Sequence, residues 1–196
     1  MNDLPLDATY WNDRYQQHQT GWDVGQVSTP LKEYIDQLTN KDIAILIPGC
    51  GNSYEAEYLL QQGFNNITLI DISPLLTQQL TEKFSAYVGN QLRIITGDFF
   101  VPEGQYDLIL EQTFFCALEP SLRGAYVSKM HSLLKPGGKL AGVLFDRAFE
   151  GGPPFGGSQE EYKELFAPLF NIQVLAPCYN SIKPRAGAEV FMIAVK

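Results

Sequence analysis

The stretch ILIPGCGNSYEA, residues 45–56, joins an apolar run to a turn with one proline and two glycines, and a helix-like segment follows. A buried strand, a glycine turn and a helix are typical of the first unit of an open α/β sheet. In such sheets the ligand lies beyond the carboxyl ends of the strands, where the strand order reverses. We therefore expect the turn, which comprises Pro48, Gly49, Cys50 and Gly51, to face a ligand.

Apolar runs and helix-period segments alternate along most of the chain. The apolar runs span 42–47, 67–73, 92–98, 106–112 and 139–145, and the helix-period segments span 53–63, 74–88 and 120–135. Ser73 and Pro74 are typical of a helix start, and Gly63 is typical of a helix end. This alternation predicts a doubly wound α/β fold with a mostly parallel sheet.

The end of the chain has a different pattern. One short helical segment, 159–167, precedes two apolar runs at 170–177 and 188–196 that only a polar loop separates. We predict a C-terminal antiparallel hairpin at one edge of the sheet.

Composition predicts one domain over residues 1–196. The alternating pattern places an α/β core at 41–196, and the family resemblance described below implies an N-terminal lid and lead-in helix at 1–40. The formal net charge is −8 and the 14 Lys and Arg residues are scattered, so we expect no nucleic-acid partner. No basic leader and no run of about 18 apolar residues is present, so we expect a cytoplasmic protein without membrane contact. The three cysteines lack metal-ligand spacing, and we predict no metal.

The glycine spacing distinguishes between two adenosine cofactors. Asp71 follows Gly51 by 20 residues, the offset at which an acid commonly binds a ribose hydroxyl. An NAD site needs a third glycine at position 54, which is Tyr54 here, and its ring crowds the place of a diphosphate. S-adenosylmethionine has no diphosphate, so we predict that cofactor and keep an NAD enzyme as a remote alternative.

Two further carboxylates follow strands on the same edge. Asp98 precedes Phe99, a pair suited to the amino group and the face of adenine, and Glu111 lies where a sulfonium would pass. Each residue also has a purely structural interpretation, in which Asp98 caps a helix and Glu111 forms an ion pair with a neighbouring Lys or Arg. The three acids together favour a cationic adenosine cofactor.

Several blocks of the sequence resemble one enzyme family. The blocks YWNDRY, TGWDVGQVSTPL, LIPGCGNS, LIDIS, GDFF, LEQTFFCALEPSLRGAYVSKMHSLLKPGGKL and EGGPPF, in this order, are similar to the thiopurine methyltransferase superfamily. Within that superfamily the resemblance is strongest to halide, thiocyanate and thiol methyltransferases. It implies a class I S-adenosylmethionine-dependent methyltransferase with a Rossmann-like seven-stranded sheet.

The resemblance also implies a set of cofactor-binding residues. These are Trp11, Tyr15 and Trp22 of the lid, Pro48, Gly49, Cys50 and Gly51 of the turn, Asp71 and Ile72 at the ribose, Asp98 and Phe99 at adenine, and Glu111 and Gln112 near the methionine part. The chain departs from the family pattern at Tyr15, at GCGNS where GCGxGxD is common, and at Phe155 where plant relatives have a tyrosine.

Trp11, Tyr15 and His18 have i, i+4, i+7 spacing, which predicts one aromatic helix face. The alternatives for this face are ordinary core packing and, on the family match, a lid that holds the sulfonium by cation–π attraction. The segment EGGPPFGG, 150–157, is expected to be a second lid, although an ordinary surface loop is the alternative.

The methyl acceptor is expected to be a small molecule in a dry pocket of Phe114, Phe115, Pro154 and Phe155, with Arg185 either steering an anion or merely solvated. We assign no catalytic base, and we expect a monomer or weak dimer. The leading hypothesis is methylation of a thiol, sulfide, thiocyanate or halide. The alternatives are a larger acceptor, such as a thiopurine or metalloid oxyanion, and a non-catalytic cofactor-binding relative.

Overall fold

The structure is a computed structural model that describes residues 5–196, so residues 1–4 of the predicted lid segment lie outside the described residues. The strands are β1 Ile45–Pro48, β2 Ile67–Asp71, β3 Leu92–Thr96, β4 Tyr106–Gln112, β5 Leu134–Phe145, β6 Asn171–Pro177 and β7 Glu189–Val195. They form one sheet in the order β3-β2-β1-β4-β5-β7-β6. The first five strands are parallel, and β7 is antiparallel to both β5 and β6, which confirms the predicted fold class and C-terminal hairpin.

Six α-helices accompany the sheet in the described part of the chain: α1 Ala8–Gln16, α2 Thr29–Asp36, α3 Tyr54–Gln61, α4 Pro74–Lys83, α5 Arg123–Leu133 and α6 Gln159–Phe166. The predicted caps are present, since the Ser73 hydroxyl accepts a hydrogen bond from the amide of Leu76 at the start of α4. Gly63 has a φ of +85° just after α3, a conformation that glycine adopts without steric cost.

Buried side chains cover both faces of the sheet. Ile45 and Ile47 of β1 belong to one core cluster, with α2, α3 and α4, whereas Leu46 belongs to the cluster of α5 and α6. Alternate residues of a strand point to opposite faces, so a strand covered on both sides needs an unbroken apolar run. This is why ILI is continuous.

Several element boundaries differ from the sequence prediction, and the largest differences are at α4, α5 and β5. Helix α4 ends at Lys83 rather than near residue 88, because Phe84 is its C-cap and turns into the core. Helix α5 begins at Arg123, after a 3-10 turn at Pro120–Leu122, and ends at Leu133. The strand expected at 139 begins at Leu134, which pairs with Tyr106 across an irregularity that accommodates the PGG segment.

The prediction that His18 continues the aromatic face of α1 is wrong. The helix ends at Gln16, and His18 has a φ of +52° and is exposed. The amide of Gln19 donates to the carbonyl of Arg14, 2.9 Å away, and so closes the helix end. The face therefore consists of Trp11 and Tyr15.

The strand order reverses at β1, which pairs with β2 on one side and with β4 on the other. The glycine turn follows β1 directly and therefore lies at the switch point of the sheet. Among residues 5–196, none of the helices has the length and apolar character needed to span a membrane.

Candidate active site

A cavity of about 580 Å³ lies beyond the carboxyl ends of the parallel strands, and its size is within the range of small-molecule sites. Most predicted site residues meet there. The lining includes Trp11, Tyr15, Trp22, Gly49, Cys50, Gly51, Asp71, Ile72, Asp98, Phe99, Gln112, Phe114, Pro154 and Arg185. Pro48 instead is a buried residue of β1, where it pairs with Ile70.

The glycine turn needs glycine for two different reasons. Gly49 and Gly51 both have left-handed backbones, with φ of +54° and +51°. A Cβ on Gly49 would lie 2.1 Å from the Phe114 ring, whereas a Cβ on Gly51 would meet only the Tyr15 hydroxyl, at 3.7 Å. Ser53 is also left-handed, at φ +54°, and its hydroxyl donates to the Cys50 carbonyl 3.1 Å away. Gly49 therefore allows the ring of Phe114 to pack against the turn.

Carboxylates gather at the end of the cavity near this turn. Asp71 accepts hydrogen bonds from the amides of Ser73, at 3.0 Å, and Gly51, at 3.4 Å, and its burial raises its pKa. Asp98 is exposed and lines the cavity. This acidic end suits a cation and hydroxyl groups.

Sequence reasoning missed two acids of the same region. Glu55 is buried in the first turn of α3, and its burial raises its pKa to about 7. It occupies the acid position of the GCGxGxD pattern, which was the available signal. Asp23, which follows Trp22, carried no sequence signal because its partners come from the turn.

Aromatic side chains cover this end of the cavity. Trp22 makes edge contacts with Trp11 and Tyr15, at centroid distances of 5.5 and 5.9 Å. Burial is the main cause that raises the pKa of Tyr15, so its phenol stays protonated. Trp11, Tyr15 and Trp22 are called the aromatic lid below.

Hydrogen bonds of Asn12 and Asp23 attach the lid to the α/β core. Asn12 of α1 accepts from the Ser73 hydroxyl and from the amide of Leu75, so α1 docks on the start of α4. Asp23 accepts from the side-chain amide of Asn52 and from the Tyr54 hydroxyl, the latter at 3.2 Å. Tyr54, which sequence analysis read only as an obstacle to a diphosphate, thus helps to hold the lid.

Glu111 lies beneath the cavity rather than facing it as expected. It is fully buried and accepts from the amides of Phe114, at 2.8 Å, and Phe115, at 3.0 Å, and from the Tyr126 hydroxyl. Burial raises its pKa to about 7. Its contacts fix the turn after β4, in which Thr113 has a φ of +60°, a strained conformation for a β-branched residue.

Phe115 and Phe155 also lie elsewhere than expected. Phe115 packs in the core against Tyr126 and Tyr162. Phe155 lines a second, open cavity, while its amide donates to the Cys116 carbonyl 2.6 Å away. Neither side chain is part of the first cavity's lining.

The far side of the first cavity is apolar and carries positive charge. We call this side the acceptor end; it comprises Cys116, Leu118, Phe145, Arg147, Phe149, Pro153, Pro154 and Arg185. Arg185 donates to the Trp22 carbonyl, at 2.8 Å, and lies over the Phe145 ring. Arg147 is exposed and stacks on Phe149. Sequence analysis missed Arg147, although it follows the end of β5 in the same way that other site residues follow their strands.

Comparison with known proteins identifies the family of this chain. The model of the thiopurine S-methyltransferase family matches residues 6–193. The chain is 31% identical over 186 residues to a probable thiol methyltransferase 2 of Arabidopsis thaliana, covering 91% of this chain and 81% of that protein. It is 27% identical to a thiopurine S-methyltransferase of Photobacterium profundum, covering 87% of each.

Solved structures show the same fold. A Burkholderia thailandensis 1,6-didemethyltoxoflavin-N1-methyltransferase with bound S-adenosylhomocysteine superimposes with a TM-score of 0.75 at 20% identity, over 96% of this chain and 86% of that one. The magnesium protoporphyrin IX methyltransferase of Synechocystis PCC 6803 with bound S-adenosylmethionine gives 0.71 at 18% identity, over 100% of both chains. The chain therefore belongs to the thiopurine S-methyltransferase family and is an S-adenosylmethionine-dependent methyltransferase.

Proposed function

We propose that this methyltransferase acts on a small, soft nucleophile: a thiol, sulfide, thiocyanate or halide that reaches the acceptor end as an anion. The observation that carries the proposal is the character of the acceptor end, where apolar walls and two guanidinium groups occur without a group that can take a proton. The similarity to a thiol methyltransferase supports the same acceptor class.

The residues of the acidic end fit S-adenosylmethionine. In this proposal Asp71 binds the ribose, Asp98 and Phe99 bind adenine, and the aromatic lid covers the sulfonium. Aromatic faces attract cations with about 2 kcal/mol when water is excluded. The bound cofactor supplies a methyl group on a positively charged sulfur, and the chain's task is to orient both reactants and to exclude water.

The acceptor end holds no suitable base among the described residues. Its titratable groups are Arg147, Arg185 and Cys116. Burial raises the pKa of the Cys116 thiol to about 12, and that thiol donates to the Thr113 carbonyl 3.3 Å away. A protonated thiol and two guanidinium groups accept no proton at neutral pH.

An acceptor that is already ionised needs only desolvation and alignment. The exposed guanidinium group of Arg147 favours an anion, whereas that of Arg185 is paired with the buried Glu189. The apolar walls remove the anion's water. Alignment of two reactants can lower a barrier by about 7 to 11 kcal/mol without any acid or base. The arrangement therefore supports nucleophiles that are anionic near neutral pH.

A larger acceptor, such as a thiopurine, is the second candidate. Arg147 and Pro154 are exposed, so the acceptor end is open towards solvent on their side, and an acceptor there is not confined to the enclosed part of the cavity. The similarity to bacterial thiopurine S-methyltransferases favours this candidate.

The test supplies S-adenosylmethionine with iodide, thiocyanate, sulfide, a series of thiols of different pKa, and 6-mercaptopurine. Methylated volatiles are measured by headspace mass spectrometry and the methylated purine by liquid chromatography. We expect the pH profile for each thiol to follow that thiol's own pKa, and the profile for iodide to be flat. Turnover of 6-mercaptopurine alone would select the second candidate, and a thiol profile that ignores the thiol's pKa would reveal a base and refute the mechanism.

Arg147→Gln tests the role of charge. We expect it to raise the KM for thiocyanate about fivefold, which corresponds to an exposed interaction of about 1 kcal/mol. Arg93→Gln is the matched control, since Arg93 is an exposed residue of β3 that does not line the cavity. Equal KM values for the two variants would contradict the role of Arg147.

A further inference from the structure

The segment that closes the acceptor end is a loop between β5 and α6. Residues 146–158 form this segment, called the acceptor loop here. Arg147, Phe149, Pro153 and Pro154 of the loop line the first cavity. The position of the loop therefore sets the shape of the acceptor end.

Packing alone does not hold the acceptor loop in place. A second cavity of about 610 Å³, open to solvent, separates part of the loop from the start of α5. Several of its lining residues belong to the loop itself, among them Phe149, Gly151 and Phe155. A segment with an open cleft behind it depends on specific polar contacts for its position.

The loop is fixed at its base and along its descending limb. At the base, the amide of Gly157 donates to the Arg147 carbonyl, 3.1 Å away. On the limb, the amide of Phe155 donates to the Cys116 carbonyl. The next residue, Gly156, accepts from Arg123, whose Nη2 is 2.5 Å from the Gly156 carbonyl oxygen.

Arg123 joins three elements with one planar group. It is the first residue of α5, is 8% exposed, and its guanidinium lies over the Phe115 ring, 5.0 Å from the centroid. Its Nη1 donates to Glu161 of α6, and its Nη2 donates to Gly156 of the loop. A planar fork can make these two bonds in fixed directions, which an ammonium group cannot.

The remaining donor of Arg123 indicates that the residue is not kept for stability alone. Its Nε is buried and has no hydrogen-bond partner within residues 5–196. An unpaired buried donor opposes folding, and the side chain of Glu161, the ion-pair partner of Arg123, is 37% exposed, so the pair adds little to stability. The stability of the fold therefore does not account for the ion pair with Glu161 and the hydrogen bond to Gly156.

We propose that Arg123 is a positioning residue for methyl transfer, which holds the acceptor loop against α5 and α6 and so fixes Pro153, Pro154 and Phe149 around the methyl acceptor. It touches neither reactant, because it lines the second cavity and not the first. The cofactor side of the cavity is attached by other contacts, those of Asn12 and Asp23. Loss of Arg123 should therefore affect the acceptor and spare the cofactor.

The test compares Arg123→Lys, Arg123→Met and Glu161→Gln, with Arg93→Gln as the control. Arg123→Lys keeps the positive charge, but its ammonium group cannot bond both the Glu161 carboxylate and the Gly156 carbonyl. Glu161→Gln changes a side chain that is 37% exposed and keeps an oxygen that can accept from Arg123. We expect the two Arg123 variants to lower kcat/KM for the acceptor at least tenfold, mainly through KM, because small misplacements of positioning groups are costly. Glu161→Gln should lower it two- to fivefold, and the Kd of S-adenosylhomocysteine should stay within twofold in all variants.

A parallel loss of cofactor binding, or an acceptor kcat/KM within twofold of wild type in a folded Arg123 variant, would overturn the proposal. If neither Arg123 variant folds, the test is the kcat/KM of Glu161→Gln for the acceptor: a two- to fivefold loss supports the proposal, and no loss overturns it. The inference rests on the proposed function only for the choice of acceptor. Hydrogen exchange of the Phe155 and Gly157 amides can be measured without a methyl acceptor. Faster exchange of these amides in Arg123→Met, with unchanged protection of the β1 amides, supports the proposal even if no nucleophile of the panel is methylated. Unchanged exchange of the two loop amides refutes it.

Discussion

The turn after β1 allows a graded test of why each glycine is there. Gly49→Ala, Gly51→Ala and Gly63→Ala all place an L-residue in a left-handed backbone, with φ of +54°, +51° and +85°. That conformation costs about 1 to 2 kcal/mol for alanine. The three variants share this cost and differ in the surroundings of the new methyl group.

The added cost follows from the distances. At Gly63 no heavy atom lies within 4 Å of the new Cβ, and at Gly51 the nearest is the Tyr15 hydroxyl at 3.7 Å, an ordinary contact. At Gly49 the Cβ would lie 2.1, 2.6 and 2.9 Å from three atoms of Phe114, so the ring must move. Such overpacking adds about 1 to 3 kcal/mol, which gives about 2 to 5 kcal/mol in total for Gly49→Ala.

Urea denaturation measures the free energies of unfolding, and titration calorimetry with S-adenosylhomocysteine measures binding. We expect Gly63→Ala and Gly51→Ala to lose similar stability and Gly49→Ala to lose clearly more. Gly51→Ala should weaken binding, since its methyl group points to the cavity beside Tyr15, whereas Gly63→Ala should leave the Kd unchanged. Equal stability losses at positions 49 and 63, or unchanged binding in Gly51→Ala, would refute this account of the turn.

Three further predictions concern the lid and the buried acid. Tyr54→Phe removes the hydrogen bond to Asp23 and should raise the Kd of S-adenosylhomocysteine by up to about fivefold, near 1 kcal/mol, with Tyr87→Phe as an exposed control; an unchanged Kd would contradict the role of Tyr54 in holding the lid. Asn12→Ala should detach α1 from Ser73 and weaken binding about five- to tenfold in calorimetry, because its oxygen accepts two hydrogen bonds, whereas Asp13→Ala on the exposed face should not. Burial raises the pKa of Glu111 from 4.5 to about 7, so its protonated form is favoured in the fold and its contribution to stability falls as pH rises from about 4.5 to about 7. Urea denaturation at pH 5 to 8 measures this loss: Glu111→Gln should reduce the fall in the free energy of unfolding by up to about 3 kcal/mol, and Glu103→Gln should leave it unchanged. If the free energy of unfolding of Glu111→Gln and of wild type depends on pH in the same way, Glu111 is ionised in the fold.

Most of the lining of the first cavity could be located from the sequence, because strand ends and turns are local in sequence. Gly49, Gly51 and Asp71 follow or end strands of a parallel sheet, and the carboxyl ends of such strands meet at one edge. Asp98 follows β3 in the same way. Periodicity therefore located them without any tertiary information.

Glu111 shows where that reasoning fails. It is the penultimate residue of β4, one position before Gln112, which lines the cavity. Adjacent residues of a strand point to opposite faces, and only packing determines which face is beneath the cavity. Here the Tyr126 hydroxyl and the amides of Phe114 and Phe115 donate hydrogen bonds to the Glu111 carboxylate, which is therefore buried.

The acceptor loop shows the same limit. The GGPPF motif predicted a lid, and its two prolines line the first cavity, but its phenylalanine lines only the second. Arg147 and Phe149, which precede the motif, line both cavities. The side-chain directions of an irregular segment depend on contacts with distant residues, in this case Cys116 and Arg123. No periodicity exists in such a segment from which the directions can be inferred.

The sequence alone determined the sheet, its hairpin and the sheet edge at which the first cavity lies, because apolar periodicity and turn glycines act over a few residues. The tertiary structure decided which carboxylates are buried, how Asn12, Asp23 and Arg185 attach the lid, and that Arg123 holds the acceptor loop. The bonds that attach the lid and the bond from Arg123 to the acceptor loop join residues from 29 to 163 positions apart. Hydrogen bonds over such separations depend on the packing of whole elements, which local patterns do not encode.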